Sequence, residues 1–314
     1  MVFDAHADIF WDVARRRNEG EDHVLEKYHK ERLTKGQVEG VGFSIWANPE
    51  KEGDTYAGLT ENMILQAKAD IAQSTDWLAM VRTPEEALKA KAEGKIYGFV
   101  PVEGMAAVGK DLSKIDTYYA DFGARMGMLT WNEKNDLATG CKGGPADEGL
   151  TDLGKEAIRI MEDRKILADV SHLNDGGFWD IIKMATKPVI ATHSNCRCMC
   201  DHVRNLTDDM MRAIKETGGV VGLNCYHNFI SADPAKQNAA YLAQHAAHMA
   251  EVMGVEHVIC GFDFCEFLGR DPHLLEGLED ASHLPSFMDE LRKVGFSEKE
   301  VNMIGHENML RVLG

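Results

Sequence analysis

The chain predicts an α/β fold, a single (β/α)8 TIM barrel spanning residues 1–314, on three observations. Short β-rich runs recur eight times, most of the gaps between them hold a segment of helical period, and the runs read as nearly continuous apolar stretches. Strands of that kind, joined through helices, make a parallel sheet covered on both faces, and eight such units are the number that closes a barrel. A barrel of about 250 residues plus insertions also accounts for the length without a second domain. A doubly wound open sheet is the alternative. It is disfavoured because no GxGxxG follows the first run and no GxxxxGK[ST] occurs in the chain.

The runs are, in order, VFDAH (2–6), VGFSIW (41–46), IYGFVPVE (96–103), MGMLTW (126–131), ILADVSH (166–172), PVIATH (188–193), GVVGLN (219–224) and HVICGFD (257–263). Helical period fills ENMILQAKADIAQ, PEEALKAKAEG, TDLGKEAIRIMEDR, NDGGFWDIIKMAT, TDDMMRAIKETG and YLAQHAAHMAEVMG. Thr151 and Thr207 each precede an acidic residue and a periodic run, the place of an N-cap, and Gly218 and Gly254 close their helices. Two stretches, 132–149 and 264–286, lack period and follow strands. Barrel loops in that position border the active site, so both are expected to act as lids or substrate contacts.

Composition narrows the function classes. A chain that is 44% hydrophobic and 27% charged can bury a large core, which excludes general disorder. No stretch approaches the roughly 18 consecutive apolar residues of a membrane span, and Asp4 and Asp8 interrupt what would be the apolar core of a signal peptide. The expectation is a soluble, cytoplasmic protein with no membrane partner. With 34 basic against 51 acidic side chains, the net charge of −17 repels a phosphate backbone, and the RRR run at 15–17 is too short to offset it. No nucleic-acid partner is expected. Seven cysteines are an odd number for a disulfide framework and read as reduced thiols, mostly small buried apolar residues. Asn205-Leu206-Thr207 matches a glycosylation acceptor, which has meaning only in a secreted protein.

The ionisable residues are placed informatively. His6 and Asp8 follow the first run, Glu103 the third, His172 the fifth and His193 the sixth. Residues two apart on a strand share a face, so His6 and Asp8 present an imidazole and a carboxylate to one point in the barrel mouth. A lone strand-end histidine or aspartate is usually a satisfied polar group, but five ligand-type side chains at equivalent ends of different strands point to one shared centre. Three imidazoles and two carboxylates suit a borderline divalent cation such as zinc and exceed one open tetrahedral site, so two metals fit better than one. Asp263 ends the eighth run, where a carboxylate can carry protons without binding metal. Arg204, eleven residues after His193, is either a bidentate clamp on a carboxylate or a surface and capping arginine.

Three other clusters read as structural. His245, His248 and Glu251 share one face of a helix that packs outside the barrel and are expected as a solvated stripe. Cys196, Cys198 and Cys200 form CxCxC beside His193, a spacing that matches none of the usual zinc patterns. His306-Glu307 lacks the second histidine of HExxH.

DAHAD (4–8), EG (103–104), DVSH (169–172), ATHSNCR (191–197), RNLTDD (204–209), GFDF (261–264) and ENMLRVL (307–313) resemble, in order and spacing, the motifs of the renal (membrane) dipeptidase family of zinc peptidases. The resemblance covers essentially the whole chain. It implies a distorted (β/α)8 barrel of the metal-dependent hydrolase type with a dinuclear zinc centre, or another divalent ion in its place. His6 and Asp8 are then implied to bind one ion, His172 and His193 the other, and Glu103 to bridge them, with a hydroxide held between the ions as nucleophile. The implied substrates are free dipeptides, including those with a D-residue or a dehydro residue on the C-terminal side. Arg204 matches the arginine that holds the substrate carboxylate, and Asp263 the aspartate that handles protons on the scissile nitrogen. A homodimer is the expected assembly.

One departure stands out. The better-known members carry LTH after the fourth strand, where this chain has Leu129-Thr130-Trp131 and then Asn132. An indole donates one N–H and accepts nothing. Trp131 is expected either to narrow the pocket beside the scissile bond, with Asn132 as an added donor, or to pack outward beneath the 132–149 loop. Two competing readings are a related barrel amidohydrolase acting on lactones, cyclic amides or deaminase substrates, and a metal-binding protein that has lost catalysis. The first usually carries His-x-His on its first strand, where this chain has Asp8; the second is disfavoured by the intact Asp263 and ligand set.

Overall fold

The computed structural model describes residues 1–268 and 274–314. Its strands are β1 (Val2–Ala7), β2 (Val38–Phe43), β3 (Ile45–Trp46), β4 (Leu78–Met80), β5 (Ile96–Glu103), β6 (Ala124–Met128), β7 (Leu167–Ala168), β8 (Val221–Leu223) and β9 (Val258–Cys260). Every pairing between them is parallel. The path β1-β2-β5-β6-β7 carries β3 and β4 alongside β5, and β8 pairs β9. Single bridges connect the two parts and close the cylinder: Asp169 to Ile190, Ala191 to Val221, and Ala7 to Phe264. At the closing seam the Asp263 amide donates to the His6 carbonyl at 3.2 Å. The fold is the closed parallel barrel that the alternation of strands and helices predicts.

The helices expected from period are present, among them Tyr56–Ala72, Pro84–Ala92, Asp152–Asp163, Asp175–Met184, Asp208–Glu216 and Ala239–Met253. Thr151 and Thr207 cap two of them, accepting from the amides of Gly154 and Met210. Each cap satisfies a helix N-terminal donor that otherwise has no partner.

Two strands differ from the sequence expectation. The sixth run, 188–193, forms no ladder, because its residues change partner: Ile190 bonds Ala168 and Val170 on one side, and Ala191 bonds Val220 and Gly222 on the other. β4 was not expected at all. It is three residues long, below the length at which a run can be told from its surroundings. It pairs with Ile96–Gly98 of β5, whereas β6 pairs with Val100–Glu103 higher up the same strand, and this exchange of neighbours distorts the barrel.

The barrel interior is apolar below and polar above. Phe3, Tyr97, Phe99, Met126 and Ile190 fill the lower part, and Met309 from the C-terminal helix Asn308–Leu313 closes it. Tyr97, Phe99 and Glu103 share one face of β5, so the alternation that fills the core below delivers a carboxylate to the mouth above. β1 needs a correction of phase. Phe3 and Ala5 belong to the inner cluster, and a register shift between Asp4 and Ala7 in the pairing with β2 turns His6 and Asp8 into the mouth. Of the two aperiodic loops, 132–149 carries bridges from Lys134 to Thr139 and from Gly140 to Leu173. The other, 264–286, includes residues 269–273, which lie outside the described residues.

The stave holding His193 is approached closely by glycines of the two staves that follow it in the chain. A Cβ on Gly222 or Gly261 would lie 1.8 or 1.7 Å from the Thr192 carbonyl oxygen. Gly261→Ala should therefore destabilise the fold by about 3 kcal/mol, the upper end of overpacking costs. Urea unfolding measures this, and a loss under about 1 kcal/mol would show that the staves do not meet this closely.

Candidate active site

Glu103, buried at the end of β5, lies at the centre of the mouth. Its Oε1 is 2.8 Å from His172 Nε2 and 3.7 Å from His193 Nε2, and its Oε2 is 3.4 Å from His6 Nε2. Asp8 Oδ1 stands 3.6 Å from the same His6 nitrogen. The structure thus gathers His6, Asp8, Glu103, His172 and His193 into one cluster from four staves.

The protons of two imidazoles can be assigned from their partners. His172 Nδ1 lies 3.0 Å from Asn132 Oδ1, an acceptor, so Nδ1 carries the hydrogen and Nε2 a lone pair. Thr192 Oγ1 donates to Asp169 Oδ2 at 2.5 Å and therefore accepts from His193 Nδ1 at 2.9 Å, which leaves His193 Nε2 with a lone pair as well. These two nitrogens are 3.1 Å apart. With no proton between them, they and the Glu103 carboxylate are electron-pair donors crowded on one point. His6 Nδ1 and Nε2, Asp8 Oδ1 and Glu103 Oε2 are also buried without a hydrogen-bond partner. A buried set of unpaired donors is the arrangement a cation satisfies and a protein alone does not.

Electrostatics agree for two of the three imidazoles. Burial, with help from the positive charges of Arg204 and His6, holds His172 and His193 well below the usual imidazole range. Burial opposes charge on His6 too, but Glu103 and Asp8 outweigh it and hold that imidazole well above its ordinary value. Burial and the Asp8 charge push the Glu103 carboxyl well up.

Asp169 was not expected to matter. Its Oδ1 accepts from the Ser171 amide, the Ser171 hydroxyl and the Thr192 amide, and its Oδ2 from the Thr192 hydroxyl. It fixes the two staves that carry His172 and His193, a role its place in the DVSH motif gave a reason to look for. Asp4 does the same for the closing seam, accepting from the Phe262 amide at 2.8 Å and the His6 amide at 3.4 Å.

Asp263 sits in the left-handed region, φ 59°, where a non-glycine residue is strained. Asn224 Nδ2 donates to its Oδ2 at 3.1 Å. Burial raises its carboxyl to about 6, with the neighbouring Asp8 also raising it and His6 and Arg204 lowering it. Its carboxylate is closer to the first pair than the strand position implied: His6, Asp8 and Asp263 each place a ligand atom within 4.8 Å of the others.

Arg204 is buried, at 2% exposure, so the surface and capping alternative is excluded. One Nη2 donates to the His193 carbonyl at 3.2 Å, while Nε and Nη1 are buried without a partner. The guanidinium lies 5.5 Å from the Phe229 ring centroid. Together with Asp8, Glu103, His172 and Asp263 it lines a cavity of about 420 Å³.

Trp131 also lines this cavity and is half-buried, so it does not pack outward. It meets Trp46 edge-on at 5.3 Å and tilts over His172 at 6.1 Å. Asn132 lines the cavity too, but its Oδ1 is engaged by His172 and by the Cys141 thiol, which makes it a positioning residue for the imidazole. Trp46 was missed by sequence reasoning. It ends the second β-rich run, and β3 pairs it with Glu103, so the strand-end rule that points to the clustered histidines and carboxylates applies to it as well.

The helix-face reading of His245 is corrected. That residue is buried, its Nε2 bonded to the Ile230 carbonyl at 2.9 Å and its Nδ1 to the Cys196 amide at 3.2 Å, because this face of Ala239–Met253 packs on the loop after the sixth stave. The three sulfurs of CxCxC diverge. Cys196 donates to the His245 carbonyl and Cys200 to the Asn228 carbonyl, and only Cys198 faces His248.

A closed parallel barrel with a buried imidazole–carboxylate cluster at the C-terminal ends of its strands is the architecture of a barrel metallohydrolase. The chain belongs to the membrane dipeptidase family, peptidase family M19, whose profile matches residues 1–314. It is a hydrolase of the metallo-dipeptidase class. An uncharacterized protein in the pqqA 5′ region of Klebsiella pneumoniae is 34% identical over 230 residues, 70% of this chain and 83% of that protein. The crystal structure of a dipeptidase described as an M19 metallo peptidase superposes with TM-score 0.86 at 25% identity, covering 99% of this chain and 97% of that one. A metallo peptidase from Rhodobacter sphaeroides, liganded with a phosphinate mimic of the dipeptide L-Ala-D-Ala, has the same fold at TM-score 0.86 and 24% identity, over 99% of this chain and 98% of that one. Among the described residues, no helix is long and apolar enough to cross a membrane.

The seam residue Asp4 generates a test in the metal-free protein. Burial raises its carboxyl from 3.8 to about 7. The folded chain then keeps this proton where the unfolded chain has lost it, so the contribution of Asp4 to stability falls as pH rises from about 4 to about 7. Asp4→Asn keeps an oxygen acceptor and removes the titration. Urea unfolding of the variant should lose less stability between pH 5 and 7 than the parent does, and parallel profiles would refute the shift.

Proposed function

We propose that this chain hydrolyses free dipeptides, L-L and L-D, with two divalent ions, zinc by preference. The observation that carries the reading is one of placement: the buried, partly unpaired Arg204 faces the same cavity as the unpaired donors of Asp8 and Glu103. His6, Asp8 and Glu103 would hold one ion, and His172, His193 and Glu103 the other. Bound divalent ions supply an acidified water and a polarised carbonyl.

The chain's own residues do the rest. Arg204 offers unpaired Nε and Nη1, and either of them together with the second hydrogen of Nη2 makes a planar fork that matches a carboxylate bidentately, so it selects substrates that end one residue beyond the scissile bond. Asp263, with a carboxyl near 6, is positioned to accept a proton during attack and return it to the leaving nitrogen. Trp131 and Trp46 form a broad apolar wall that excludes water and favours small or apolar side chains beside the scissile bond. The Rhodobacter relative bound to a mimic of L-Ala-D-Ala supports an L-D substrate. Seven cysteines, none joined in a disulfide, support a reducing compartment such as the cytoplasm.

Direct measurement of amino acids released from an L-L and L-D panel by the metal-loaded protein tests the activity. Arg204→Lys should lower kcat/KM about 10- to 100-fold, the worth of hydrogen bonds to a charged group, with metal content unchanged. Equal rates on a dipeptide and its C-terminal amide would remove the clamp. For Asp263, kcat/KM should rise with pH as the carboxyl ionises, below the value of about 6 that burial sets in the metal-free site, because bound cations favour the carboxylate. Asp263→Asn should retain metal and lose about 10²- to 10⁴-fold in kcat together with that limb; loss of metal in its place would make Asp263 a ligand.

A further inference from the structure

Cys198, Asp208 and His248 form a second cluster of ligand-type side chains, which the proposed reaction does not use. Cys198 lies in the segment that runs from His193 to Arg204. Asp208 begins the helix Asp208–Glu216, and His248 belongs to Ala239–Met253. Cys198 Sγ is 3.2 Å from His248 Nε2, and Asp208 Oδ1 is 2.9 Å from the same nitrogen. All three ligand atoms lie within 4.8 Å of one another.

The geometry excludes a nucleophile relay. In such an arrangement the carboxylate bonds the ring nitrogen opposite the one that faces the nucleophile, holding the tautomer and orientation in which that second nitrogen can take the nucleophile's proton. Here sulfur and carboxylate crowd one nitrogen. Three electron-pair donors converging on a point are what a cation requires. Tetrahedral ligands at about 2.3 Å for sulfur and about 2.0–2.1 Å for nitrogen and oxygen stand roughly 3.3–3.6 Å apart. The observed 3.2 and 2.9 Å need to open by only a few tenths of an ångström. Cys198 is exposed and the other two are half-exposed, so solvent ions reach all three. Burial and the adjacent Asp208 charge push the Cys198 thiol up, which keeps it protonated until positive charge arrives.

We propose that Cys198, Asp208 and His248 form a peripheral site for a zinc-class cation, with one thiolate, one imidazole, one carboxylate and a fourth position open to water. Mixed sulfur, nitrogen and oxygen ligands favour such an ion over magnesium or calcium. Binding releases the Cys198 proton to solvent, and the His248 proton moves to Nδ1 so that Nε2 can ligate. The ion would pin the segment leading to Arg204 against two outer helices. The site is therefore structural, and it stiffens the arm that carries the carboxylate clamp.

Cobalt loading of the full chain separates this site from the catalytic one, because the ligands proposed in the mouth contain no sulfur. The wild type should show a thiolate-to-cobalt charge-transfer band in the near ultraviolet. Cys198→Ser should abolish the band, and His248→Ala should weaken cobalt binding at this site at least tenfold. Cys265→Ser, which alters a cysteine in the catalytic cavity, should leave the band intact. No band in the wild type, a band that survives Cys198→Ser, or one indifferent to His248→Ala would each overturn the proposal. As a second readout, added zinc should raise the Tm of Cys198→Ser less than that of the wild type; equal shifts would count against the site.

Discussion

One buried carboxylate organises this protein. Glu103 has three imidazole nitrogens within 3.7 Å, and two of those nitrogens direct lone pairs, not protons, at its oxygens. Left to itself such a cluster is unfavourable, since unpaired donors in a desolvated site lack the stabilisation that water would give. The cluster persists because the barrel imposes it, and a bound cation converts the same arrangement from a cost into a source of stability.

The means of imposing it are visible in the closure of the fold. The five clustered side chains come from four staves, so none of the geometry exists before the cylinder shuts. The seam runs through the site itself: the Asp263 amide bonds the His6 carbonyl, and Asp4 ties His6 to Phe262. Glycines on the two staves that follow it, Gly222 and Gly261, let the Thr192–His193 stave approach closely. Asp169, Thr192 and Asn132 then decide which ring nitrogens carry hydrogen. Side-chain orientation, tautomer and barrel closure are thus one set of hydrogen bonds, which is why seam substitutions are expected to reach both stability and the proposed metal binding.

Much of this was legible in the sequence, because a parallel barrel places its chemistry at strand ends and strand ends can be read from apolar runs. His6, Asp8, Glu103, His172, His193 and Asp263 were all found by that rule. Features that depend on lateral contact were not. β4 is too short to stand out, and the sixth stave lacks a ladder because its residues alternate between neighbours. The burial of Arg204 and the inward face of His245 follow from how loops and helices fold back on the barrel, which no local period encodes. Asn132 was read as a donor to substrate, and its engagement with His172 becomes visible only when residues 40 apart meet. Cys198 was obscured by its neighbours, since CxCxC invites a reading in which the sulfurs converge, whereas local backbone turns point them at three different partners.

The central claim is that Glu103 is shared between two ions. Anomalous diffraction collected on either side of the zinc absorption edge, from crystals of the zinc-loaded protein, tests it most directly. The expected map has two peaks in the barrel mouth, one beside His6 and Asp8 and one beside His172 and His193, with a Glu103 oxygen on each. A single peak in the mouth, or two peaks that both leave Glu103 uncoordinated, would contradict it.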